Sequence, residues 1–261
     1  VRLLEPIADP ASFLGRRNPV AKLAGAFGLV FVLVVAADPV TATLALAGEL
    51  LLVPLAGVRY RALVRRLAPL LMAAAGVFLV TLLFTTRRGG SPVFWIVTTE
   101  SVATALGMSL RLLAMALPGV LAFASTDPTD LADSLIQQAR VPARFAVGAL
   151  AAWRLVPLLA ADWEAMTFAR RARGVDAGWS PVARGRLFAG TTFALLVGAI
   201  RRGTRLAAAM DARGFDSGLP RTIARPQRFG PVDALLIAGA VALGAAAVLT
   251  SVALGTFRPL W

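Results

Sequence analysis

The sequence predicts an all-α, polytopic membrane protein of about five transmembrane helices, with a helical insertion on the cytoplasmic side between the fourth and the fifth. Three observations carry this. Hydrophobic residues fill 58% of 261 positions, whereas soluble domains run roughly 45–50% apolar. The excess is gathered into long runs with few charges, the pattern of membrane spans. The 27 basic residues, 26 Arg and the single Lys22, fall mostly between those runs.

Residues 1–22 have neither an apolar core nor a small-residue cleavage site, so no signal peptide is expected. The first apolar run is LAGAFGLVFVLVVAA (23–37). Its 15 residues rise only about 22 Å as a helix, against a hydrocarbon core of about 30 Å. Spanning therefore needs tilt, thinning or extension through Lys22. Asp38-Pro39 breaks the run, because proline disfavours helix in the preceding residue. Residues 40–58, apolar apart from Glu49, return as the second span of a hairpin. RYRALVRR (59–66) carries four arginines and leads into a third span at 67–86. RRGGSP (87–92) is a turn. The fourth span lies at 101–125, with 93–99 entering at the interface, where Trp95 is well placed.

Residues 126–230 differ in character. They hold fifteen arginines, and their longest uninterrupted apolar run, 187–200, has 14 residues, short for a span. A second apolar stretch, 145–161, contains Arg154 and Pro157. Residues 232–255 form a final, clean span. The chain thus divides into 1–125, 126–230 and 231–261. Placing the N-terminus, 59–66 and 126–230 on one side collects 23 of the 27 basic residues there. Arg87, Arg88 and Arg258 lie opposite, and Arg111 lies within a span. By the positive-inside rule the rich side is cytoplasmic. The expected protein is a multi-pass component of a bacterial-type cell membrane, with its N-terminus inside and its C-terminus outside.

Cysteine and histidine are absent, which removes thiolate and imidazole metal sites, cysteine nucleophiles and Ser-His-Asp triads. Only 14 Asp and Glu remain, with no carboxylate cluster in the spans, so no catalytic residue, cofactor or metal is expected. A net charge of +13 on a soluble protein would suggest nucleic acid; here it marks residues retained on the cytoplasmic side. Glu49 and Arg111 are ionisable groups inside spans. They either serve a function or pair with each other or snorkel.

The insertion opens with STDPTDLADSL (125–135), where Asp127 is an N-cap, Pro128 takes N1 and Asp130 takes N3. A short helix runs to Arg140 and Val141-Pro142 ends it. A longer helix is expected from Ala143 to Arg173, kinked at Pro157, then a turn at 174–181 and a further helix from Val182 to Arg213. A polar repeat falls at the two long-helix ends. ARRARGVDAG (169–178) and AMDARGFDSG (209–218) agree at six of ten positions. Gly174 and Gly214 sit where a left-handed C-cap glycine belongs, and Arg173 and Arg213 where a cation meets the negative helix end. Ordinary capping accounts for one such sequence. Two copies at equivalent ends also suit partner contacts: small Ala172 and Ala212 allow close approach, and each guanidinium offers five donors. Asp176 and Asp216 are expected to brace their own turns. Trp153 and Trp163 are expected at the interface, and IRRGTR (200–205) is expected to face solvent or lipid phosphate.

The paired Ala-Arg-Gly ends resemble those of the T component, the transmembrane coupling subunit, of energy-coupling factor (ECF) transporters, ABC-type importers of vitamins and of cobalt or nickel ions. NPVAK (18–22) resembles that family's Asn/Asp-Pro-x-x-Lys segment, STDPTDLADSL its Thr-x-Pro-x-Asp-Leu stretch, and WRLVP (153–157) its Arg-Phe-Ile-Pro. The resemblance covers nearly the whole chain in order. It implies a non-catalytic subunit between two cytoplasmic ABC ATPases and a small membrane substrate-capture (S) component. Ala172, Arg173, Gly174, Ala212, Arg213 and Gly214 would be the ATPase-binding residues. No GxxxxGK[ST] phosphate loop is present, which fits hydrolysis on other subunits. The competing expectation is a self-sufficient secondary transporter or channel, which would need a polar pathway near the midplane, where only Glu49 and Arg111 offer one.

Overall fold

The computed structural model describes residues 11–36, 38–58, 60–84, 92–94, 97–175, 178–215 and 222–257. Among these the fold is helical: α1 (Pro19–Val34), α2 (Pro39–Leu52) with a 3₁₀ turn at Val53–Ala56, α3 (Tyr60–Phe84), α4 (Thr99–Ala124), α5 (Pro128–Gln137), α6 (Ala143–Ala172), α7 (Pro181–Ala212) and α8 (Pro231–Ala253). Two short strands, β1 (Pro92–Phe94) and β2 (Val97–Thr98), pair antiparallel just before α4. They occupy part of the stretch expected to enter at the interface. Trp95, Arg87, Arg88 and most of the expected turn at 87–92 lie outside the described residues, as does Arg258.

Proline at the first helical position recurs. Pro19, Pro39, Pro128, Pro181 and Pro231 each open a helix, where the missing N–H would have no intrahelical partner and the fixed φ is already helical. Asp127 caps α5 as expected, accepting from the Thr129 N–H at 2.7 Å. The basic stretch after Arg59 is not a loop: α3 starts at Tyr60 and runs through Pro69. Arginine and leucine are good helix formers and nothing in Arg61–Leu67 stops the helix. Helix α6 likewise continues through Pro157.

The chain divides into two compact units. One comprises residues 2–140 and 227–261, with α1–α5 and α8. In it α1 packs against α8 and α4, α2 against α4 and α8, and α3 against α4. Small residues let these helices approach, which suits a bundle that gains no hydrophobic driving force from lipid. Ala45 and Ala114 are fully buried beside Leu29, Leu33 and Ala247. A Cβ on Gly244 would come within 2.9 Å of Leu29 Cδ1 and 3.3 Å of Val32 Cβ, so α1 and α8 meet closely there. A second core gathers Val53, Val58, Leu63, Leu67 and Leu117 where α2 gives way to α3. The starts of α1 and α8 are tied together by Asp233, whose carboxylate accepts from the Asn18 N–H at 3.1 Å and the Gly230 N–H at 2.8 Å.

The other unit, residues 141–226, is α6 and α7 with their flanks. Most of its large apolar side chains face outward, Phe168 at 65% and Phe193 at 69% exposure among them. Among the described residues, four helices are long and apolar enough to cross a membrane: Leu63–Phe84 of α3, α4, α6 and α8. Helices α1 and α2 are apolar but have only 16 and 14 residues. Helix α6 joins this group although 145–161 is expected in the cytoplasmic insertion, because Arg154 and Pro157 are isolated within an otherwise apolar stretch.

Candidate functional site

The two Ala-Arg-Gly sequences build the same object twice. Helix α6 ends at Ala172 and α7 at Ala212, so Arg173 and Arg213 are C-cap residues, one position beyond the helices that were expected to include them. Both arginines have φ −91° and ψ 8°, and both following glycines, Gly174 and Gly214, have φ +73°. The left-handed value is what makes glycine the residue of choice there. The hydrogen bonds also match. Gly174 N–H donates to Arg171 O at 3.0 Å and Val175 N–H to Arg170 O at 3.0 Å. Gly214 N–H donates to Asp211 O at 2.9 Å and Phe215 N–H to Met210 O at 3.0 Å. This doubled bonding is a Schellman motif, which satisfies carbonyls that a helix end leaves without partners.

Among the described residues the capping is done by backbone. The Arg173 and Arg213 side chains are exposed, and among the described residues neither guanidinium has a hydrogen-bond or ion-pair partner. Ala172, Gly174, Ala212 and Gly214 are exposed as well, and a Cβ on Gly174 would meet nothing within 4 Å. Each helix thus ends in a small, exposed tip whose planar cation has no partner among the described residues. Asp176 and Asp216 lie outside the described residues. The sequence reading missed Val175 and Phe215, the residues that close the motif; an apolar residue directly after the C-cap glycine was the available signal.

The tips stand on helices that are pinned to each other. Arg170 Nη1 donates to Leu187 O at 2.9 Å and to Thr191 Oγ1 at 2.6 Å. Arg202 pairs with Asp162, and the Trp163 and Phe188 rings meet with centroids 5.4 Å apart. Arg202 of the IRRGTR stretch is therefore an internal tie rather than part of a solvated patch, and Trp163 has a ring partner within the unit. Neither pin was apparent beforehand, because each joins residues 21 or 40 positions apart.

Glu49 and Arg111 do not pair. Arg111 Nη2 donates to Val34 O at 2.8 Å and so caps the end of α1. Both Glu49 carboxylate oxygens are buried, and among the described residues neither has a hydrogen-bond partner.

Residues 10–222 match the model of the CbiQ family, described as a cobalt transport protein. The chain is also 30% identical to the energy-coupling factor transporter transmembrane protein EcfT of Exiguobacterium sibiricum, across 89% of this chain and 92% of that one. Against the EcfT of Limosilactobacillus fermentum it is 28% identical, covering 87% and 89%, and against that of Staphylococcus aureus 25%, covering 81% and 82%. The chain belongs to the CbiQ family, the T components of ECF transporters. This T component is a multi-pass membrane subunit of a transporter, and the motifs at 18–22, 125–135, 153–157 and 172–174 all fall within the matched region. The second tip, 212–214, falls within it too.

Proposed function

We propose that this T component is the non-catalytic lever of its transporter. It passes ATP-driven motion of two cytoplasmic ATPases to a membrane-embedded S component that captures a vitamin or transition-metal ion for uptake. The observation that carries the reading is the pair of matching helix tips, each ending in an exposed arginine whose guanidinium has no partner among the described residues. One tip per ATPase is the simplest use of two copies. Ala172-Arg173-Gly174 would seat in one ATPase and Ala212-Arg213-Gly214 in the other, with acidic groups or carbonyls of the ATPases accepting from the guanidinium fork. A charge-assisted hydrogen bond of this kind contributes about 1.5–3 kcal/mol, enough to carry force through a small contact. The pins at Arg170 and Arg202 would keep α6 and α7 moving together. The basic character of 126–230 supports a cytoplasmic position for both tips.

The test is to purify the tagged chain with its ATPases and measure both ATPase recovery and substrate uptake. Arg173→Ala and Arg213→Ala should each lower recovery and uptake about tenfold or more, and the double variant should lose both, while the T component itself still folds. Arg→Lys should rescue only part, since lysine keeps the charge and loses the planar fork. Unchanged recovery and uptake in the double variant would refute the lever.

A further inference from the structure

Beyond its coupling role, the unit formed by α1–α5 and α8 contains a cavity of about 630 Å³, within the range of small-molecule sites. Its walls are almost wholly apolar, with Leu29, Leu121, Leu236 and Leu243 prominent. Two ionisable side chains interrupt them, Lys22 and Glu49. Glu49 is only 4% exposed, and among the described residues neither carboxylate oxygen has a hydrogen-bond partner. Such a group is costly to bury unless something supplies a donor. Lys22 is differently placed: its Nζ donates to Ser125 O at 2.6 Å and to Gly15 O at 3.5 Å, which leaves one N–H for a ligand.

The depth of the cavity narrows the choice of occupant. It sits at the end of the unit where α1 and α8 begin and where α2 and α4 finish. One residue after Glu49, the Leu50 carbonyl accepts from the Tyr60 hydroxyl at 3.0 Å, and tyrosine is characteristic of the membrane–water interface. Glu49 therefore lies near the boundary between headgroups and acyl chains. We propose that this cavity binds a membrane phospholipid with a primary-ammonium headgroup. An acyl chain fills the leucine-lined space, the ammonium N–H groups donate to Glu49, and the phosphate lies toward Lys22. A carboxylate only accepts, so a cation carrying N–H donors answers both its charge and its empty lone pairs.

Native mass spectrometry of the purified chain tests this after equilibration with phosphatidylethanolamine, phosphatidylcholine and phosphatidylglycerol of identical acyl chains. The ethanolamine lipid should be retained about tenfold over the other two, the effect of one charge-assisted hydrogen bond. Choline carries the same charge with no N–H to give, and glycerol a hydroxyl without the charge. Glu49→Gln should equalise the three. Gly239→Leu, which adds a side chain where a Cβ meets nothing within 4 Å on the cavity wall, should lower retention of the ethanolamine lipid with Glu49 still in place. Free ethanolamine should displace nothing. Equal retention of all three lipids by the natural chain, an unchanged preference in both variants, or displacement by free ethanolamine would each overturn the proposal.

Discussion

Asp38 begins α2 and ties it to α8. Its carboxylate accepts from the Thr41 N–H at 2.7 Å, the Thr41 hydroxyl at 3.0 Å and the Ser251 hydroxyl at 2.6 Å. Burial pushes this carboxyl up, but the hydrogen bonds from Ser251 and Thr41 outweigh it and hold the group below its ordinary value. A carboxylate depressed on folding adds stability that is fully present above its unfolded value and is lost as pH falls through the folded one. The melting temperature in detergent should therefore hold from neutral pH down to about 4 and drop below it. Asp38→Asn should flatten that acid limb and lower the plateau, because it removes the charged acceptor of both the cap and the Ser251 bond. An acid limb unchanged by Asp38→Asn would rule out this assignment. The sequence marked Asp38-Pro39 only as a helix break. Ser251 stands 213 residues away, and no local pattern announces such a partner. The same distance effect explains Glu49 and Arg111: each was legible as an ionisable group in an apolar segment, but not that Arg111 would turn to Val34 rather than to Glu49.

Among the elements, α6 and α7 show which features are local and which are not. Their ends were legible to within a residue, because a C-cap glycine with an arginine before it is written in a few consecutive positions. Their mutual pinning was not, since it depends on side chains meeting across a crossing. Arg170 is the stronger test of it, because it reaches across to Thr191, which is only 4% exposed and whose hydroxyl in turn donates to Leu187 O within α7. Arg170→Met should loosen the crossing while leaving both helices intact. The natural chain has no cysteine, so spin labels at Ala169→Cys and Ala209→Cys, both exposed, report the separation of the two tips directly. The distance distribution should broaden in Arg170→Met and stay narrow without it; equal widths would remove the pin from the account. The start of α3 is the reverse lesson. A run of arginines looks like a loop between spans, yet nothing in it breaks a helix, and the structure continues through it.

For the whole molecule the decisive quantity is which surfaces meet lipid and which meet the cytoplasm. Helix α6 has the length and hydropathy of a span, while the arginines around it argue for the cytoplasmic side. Trp179, at the turn between α6 and α7, is 97% exposed and provides a probe. Trp179→Cys should react with a membrane-impermeant maleimide in inverted vesicles and stay unlabelled in intact cells. Labelling in intact cells would reverse the proposed orientation. The sequence by itself determined the membrane class, the helical character, the order of the apolar segments, the doubled tips and the family resemblance. All of these rest on composition or on residues close together in the chain. Only the tertiary structure decided that, among the described residues, the guanidiniums of Arg173 and Arg213 have no partner while backbone does the capping, that Arg170 and Arg202 join their two helices, and that Glu49 faces an apolar cavity with no hydrogen-bond partner. Those facts depend on which distant side chains come within about 3 Å of one another, and that is set by packing rather than by spacing along the chain.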